Sequence, residues 1–97
     1  MNKDKDKNLE FLYRAVLKLE TVEECQKFFF DLCTDNELVS MSQRIVVAKM
    51  LKEKRVYSDI VAQTGASTAT ISRVNRSLKV GSGYDKVFRK LDEEDGL

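Results

Sequence analysis

The chain has no histidine and no proline, and among its 97 residues there are only four glycines and two cysteines. Without histidine there is no imidazole for acid–base catalysis, no histidine-based triad and no zinc site that relies on imidazole ligands. Cys25 and Cys33 form no Cys-x-x-Cys pair. They lie in a stretch that reads as one helix, where eight residues rise about 12 Å, too far for a disulfide. They are expected to be small buried hydrophobes in a reducing compartment. No apolar run approaches the roughly 18 residues of a membrane span, and the first eight residues lack the hydrophobic stretch of a secretory signal, so a cytoplasmic, membrane-free protein is expected. With no proline and few glycines, long helices run uninterrupted. The length suggests one small domain with a modest core, for which oligomerisation is a reasonable expectation.

The charge is nearly balanced, with 17 Lys and Arg against 16 Asp and Glu for a net +1. A near-neutral total argues against nucleic acid, but its distribution reverses that reading. Residues 1–39 hold six cations and nine acids, residues 40–79 eight and two, and residues 80–97 three and five. A segment of net +6 is thus framed by two acidic ones, and nucleic-acid binding is expected to map to residues 44–79.

Residues 1–7, which include alternating Lys and Asp, read as a flexible charged arm. Leu9, Leu12, Tyr13, Val16 and Leu17 then follow the spacing of an amphipathic helix. Thr21 with Glu24, and Thr34 with Glu37, both carry the capping-box spacing that starts a helix. The helix after Thr21 contains Phe28, Phe29 and Phe30 in succession. The helix after Thr34 contains Ile45, Val46, Val47 and Ala48. Consecutive apolar residues spread over about 200° and 300° of a helix, more than one face of a small monomer covers. Burial against a second copy of the chain is expected, with the first third left for dimerisation.

Tyr57 to Lys79 reads as a helix-turn-helix. Ile60 and Val61 belong to its first helix, Gly65 opens the turn, and Ser67 is the natural N-cap of its second helix. Ala66, Ile71, Val74 and Leu78 form the inward side of that second helix. The outward residues are short at the start and cationic farther on, as a helix entering the major groove requires. Ser67, Thr68, Ala69, Thr70 and Ser72 can meet base edges, thymine methyls or phosphate. Arg73, Arg76 and Lys79 can reach phosphates or a guanine edge, and Asn75 can support backbone contacts. Gly81-Ser82-Gly83 ends this helix. Tyr84, Val87, Phe88 and Leu91 mark one more, before an acidic tail at 92–97 that reads as solvated rather than metal-binding.

These residues resemble the Trp-repressor superfamily, in particular its YerC-like branch. The resemblance is strongest at Thr64–Arg73 (TGASTATISR) and Asn75–Lys79 (NRSLK), and runs more loosely back to Thr34 through Gln43-Arg44. The motif alone is also similar to the headpiece of LacI-type repressors, which carry it at the extreme N-terminus; here it follows three predicted helices. The resemblance implies an all-α fold of about six helices, with a single helical DNA-binding domain over 8–91 and its helix-turn-helix at about 57–79. It also implies an intertwined homodimer that matches a palindromic double-stranded operator. The founding member holds tryptophan as corepressor between two arginines. Those positions fall on Arg44 and Arg73, with Thr34 and Ser77 as supporting polar contacts. Where the family has glycine after the second arginine this chain has Val74, which crowds a flat indole; another small corepressor, or none, is therefore expected rather than L-tryptophan. Val61 stands where such motifs place a small residue.

The leading expectation is a sequence-specific transcriptional regulator, acting as a repressor. The rival is a helical protein-interaction module without specific DNA binding. An enzyme is the weakest reading, because there is no serine-based constellation and no glycine-rich phosphate loop.

Overall fold

The computed structural model describes residues 3–95. It contains six helices, α1 (Lys3–Val16), α2 (Val22–Leu32), α3 (Asp35–Lys52), α4 (Tyr57–Thr64), α5 (Thr68–Val80) and α6 (Gly83–Asp95), and no strand among the described residues. The all-α class and the helix count agree with the sequence. The chain divides into two compact units, Met1–Leu38 and Val39–Leu97.

The first unit is built from α1, α2 and the opening turn of α3. The stretch expected as a charged arm is helical from Lys3 onward; residues 1 and 2 lie outside the described ones. Asp4 and Asp6 occupy the first turn, where carboxylates complement the helix dipole, and no glycine or proline interrupts the run into the apolar stripe. Both threonines cap their helices, and one of the two capping boxes closes completely. The Glu24 N–H donates to Thr21 Oγ1 at 3.0 Å. At the start of α3 the exchange is reciprocal: the Glu37 N–H donates to Thr34 Oγ1 at 3.1 Å, and the Thr34 N–H donates to Glu37 Oε1 at 2.8 Å. That backbone N–H, and then the Thr34 hydroxyl, hold the Glu37 carboxyl below its ordinary pKa. Cys25 and Cys33 are free and half-buried, and Cys33 is the C-cap of α2 rather than part of the helix. Phe28 and Phe29 meet edge-on at 5.6 Å.

Neither α1 nor α2 has a buried residue. Phe11 is 76% exposed, Leu17 80%, Val22 86% and Phe30 69%.

The second unit has the core. Val47, Ala48 and Met50 of α3, Ile60 of α4, Ala66 of the turn, and Ile71 and Val74 of α5 are all buried together. Leu51, Leu78, Tyr84 and Phe88 pack around them, which brings α6 onto the cluster. Tyr84 and Phe88 stack at 5.9 Å, and Lys52 pairs with Asp85. Of the apolar run in α3, Val47 and Ala48 are buried while Ile45 and Val46 stay exposed. The chain's own core therefore takes about half of that arc.

Helix α3 ends without glycine or proline. Lys54 adopts a left-handed φ of 65°, the Lys54 N–H reaches the Leu51 carbonyl, and the Arg55 N–H reaches the Met50 carbonyl, both at 3.0 Å. This is a Schellman closure on a residue with a side chain, one that costs roughly 1 kcal/mol relative to glycine. The residues expected as an acidic tail are helical through Asp95 in α6; residues 96 and 97 lie outside the described ones.

Candidate nucleic-acid interface

Helices α4 and α5 form the helix-turn-helix, and local chemistry explains each part of the turn. Gly65 caps α4 at φ 71°, its N–H donating to the Val61 carbonyl at 2.9 Å. A Cβ placed there would meet no atom within 4 Å, so the demand for glycine is one of backbone conformation, not space. The Thr64 hydroxyl donates to the Ile60 carbonyl at 2.7 Å and accepts the Ala66 N–H at 3.1 Å. Ser67 sits at the N-cap of α5 in extended conformation, and its hydroxyl oxygen accepts the Thr70 N–H at 3.1 Å. The same hydroxyl donates to Thr70 Oγ1 at 3.1 Å.

From Thr68 onward, α5 separates its two sides. Thr68, Ala69, Ser72, Arg73, Arg76 and Lys79 are all exposed, and at about 100° per residue they share an arc of about 140°. Ile71 and Val74 are buried and Leu78 is half-buried on the other side. No acid lies on α5, and among the described residues none of its three cations is paired with a carboxylate. The structure thus brings six of the expected contact residues onto one open face, with Ser67 exposed at its start. Thr70 stands apart from that face. It is half-buried, it lies outside the arc, and its hydroxyl is engaged with Ser67.

Two contacts escape sequence reasoning. The Asn75 amide lies 3.4 Å from the Tyr57 hydroxyl and joins α5 to the start of α4. Gln43 of α3 donates from Nε2 to the Thr64 carbonyl at 3.1 Å. The only signal for Gln43 is an uncharged amide inside an apolar arc, and nothing in the spacing tells where its donor goes. At the start of α4, Arg55 lies 3.8 Å from Asp59, and no side chain caps the helix at Val56.

A family model for the Trp repressor protein matches residues 7–92. The chain belongs to the Trp repressor family. Among curated relatives of this Trp repressor family chain, the uncharacterized protein YerC of Bacillus subtilis is 46% identical over 94 residues, spanning 96% of this chain and 90% of YerC. Among solved structures, a TrpR-like protein from Eubacterium eligens superposes with a TM-score of 0.84 at 57% identity, covering 88% of this chain and 89% of that one. A candidate Trp repressor from Staphylococcus aureus superposes with a TM-score of 0.86 at 47% identity, covering 95% of both chains.

Within this family frame, the four positions expected to touch a corepressor can be placed. Arg44, Arg73 and Ser77 are exposed residues of the second unit, and the Ser77 hydroxyl donates to the Arg73 carbonyl at 3.3 Å. Thr34 belongs to the first unit, where its hydroxyl and N–H serve the capping box. Val74 is 2% exposed and is part of the hydrophobic core.

Proposed function

We propose that this chain is a dimeric, sequence-specific DNA-binding regulator that represses transcription by occupying a palindromic operator in the cytoplasm. The observation that carries this reading is the open face of α5, with three unpaired cations and short polar residues at its N-terminal end. The cations supply salt-dependent attraction to phosphates, and Thr68, Ala69 and Ser72 supply contacts short enough to approach base edges. A second copy of the chain is the natural cover for the exposed aromatic and aliphatic side chains of α1 and α2. Two-fold symmetry then sets half-sites about one helical turn of duplex apart.

The reading requires no tryptophan. The inward side of α5 is already filled by the protein's own side chains, Val74 among them. Calorimetric titration with L-tryptophan is expected to give no binding heat, and DNA affinity is expected to be the same with and without it. Saturable binding that raises DNA affinity would restore the corepressor.

The test of DNA binding is affinity for a selected duplex measured against salt. A steep fall with rising salt supports the proposal, because each phosphate neutralised by a protein cation releases counterions and adds about one unit of log–log slope. A weak, flat response favours a protein-interaction module instead.

A further inference from the structure

We propose that Gln43 is a positioning residue for DNA recognition, a strut from α3 that fixes the turn ahead of the reading helix. The inference rests on the DNA-binding reading above and adds to it a residue on another helix.

Thr64 is the last residue of α4, and its carbonyl is one of those left without an intrahelical donor at a helix end. A continuing helix would satisfy it with the N–H four residues on. Here the left-handed Gly65 turns the chain away, and residue 68 begins α5 instead. The Gln43 amide supplies the missing donor at 3.1 Å, in a half-buried setting where water competes poorly. The hydroxyl of the same Thr64 holds Ile60 on one side and the Ala66 N–H on the other. One residue therefore ties α3, α4 and the turn together, and Ser67, the N-cap of α5, follows three positions later.

Gln43 is well placed for this role. Val47 lies one turn farther along α3 and is fully buried in the core, so the strut stands on a face of the helix that is already anchored. Its effect falls at the N-terminal end of α5, where Thr68, Ala69 and Ser72 would approach the bases. Contacts to phosphates tolerate small shifts of a long cationic side chain, whereas base-edge contacts do not. Loss of the strut should therefore erode specificity before general affinity.

Gln43→Met removes the donor and keeps the length of the side chain, and Gln43→Glu is isosteric but has no N–H to donate. Both variants should fold, since Gln43 is only half-buried. In each, affinity for the selected duplex is expected to fall about five- to tenfold, the loss of one partly buried hydrogen bond. Affinity of Gln43→Met for random duplex, and its salt slope, should match the unsubstituted protein. In the same samples, the Ala66 amide should exchange with solvent several-fold faster, because its acceptor Thr64 is no longer tethered. Unchanged Ala66 exchange overturns the strut, and so does faster exchange with an unchanged ratio of specific to random affinity. If the unsubstituted protein prefers no duplex sequence, the DNA-binding reading fails on its own account. The Ala66 exchange then still decides whether Gln43 holds the turn.

Discussion

The two units of this chain treat the same kind of side chain in opposite ways. In the second, seven apolar residues drawn from α3, α4, the turn and α5 close a core that excludes water. In the first, α1 and α2 hold all of the chain's phenylalanines except Phe88 and yet have no buried residue. The comparison teaches that amphipathic patterning specifies a face but not what covers it. The helix-turn-helix is complete within its unit. The N-terminal helices have apolar surface to spare, which the proposed second copy of the chain would cover.

This contrast can be broken most forcefully from the core side. Ile71→Ala removes a fully buried side chain from α5, and a loss of about 2–5 kcal/mol in unfolding free energy is expected from denaturant melts. The comparable substitution in the first unit, Phe30→Ala, removes a side chain that is largely exposed in a single chain. If a second copy covers it, the free energy of dimer dissociation measured by sedimentation should fall by about 2 kcal/mol or more, a hot-spot effect. If the side chain is solvated, the change stays within a few tenths. On the proposed DNA-facing side, Thr68→Ala is expected to cost about 1–3 kcal/mol on the selected site with little change on random duplex. Arg76→Ala should weaken both and lower the salt slope by about one. Within the turn, Ser67→Ala removes the N-cap of α5 and should cost about 1 kcal/mol in thermal or chemical melts.

The smallest effect concerns pH and the first unit alone. Glu37 has its pKa lowered in the folded chain, so its contribution is fully present above the unfolded carboxylate value of about 4.3 and is lost as pH falls through the folded value. Glu37→Gln keeps an acceptor for the Thr34 N–H but no charge. The stability difference between the two proteins should thus shrink toward zero between neutral pH and pH 3. A difference that grows on acidification would contradict the capping assignment.

Much of the fold was legible in the residues because its signals are local. The spacing of Thr21 with Glu24 and Thr34 with Glu37 announced two helix starts, and the bonds are present. Gly65 and Ser67 announced the turn, and their φ values and caps agree. The alternation of inward Ile71, Val74 and Leu78 with outward cations followed from helical period alone. What escaped was non-local or marginal. Residues 3–7 lack an apolar stripe, and only their carboxylates at the helix start and the absence of breakers favour the helix seen there. The closure at Lys54 uses a residue that ordinarily avoids a positive φ. Thr70 has the same chemistry as Thr68, but its place on the helix and the Ser67 hydroxyl turn it from the outer face. The bonds from Gln43 to Thr64 and from Asn75 to Tyr57 span 21 and 18 residues, beyond any spacing rule.

The measurement that bears most directly on the division of labour between the units is selection of bound sites from a random duplex library by the full chain. A dimer that reads DNA through two copies of α5 should enrich a two-fold symmetric site with half-site centres about 10 base pairs apart. Enrichment of a single asymmetric half-site would contradict the dimeric role proposed for the first unit, and no enrichment at all would contradict the reading role proposed for the second.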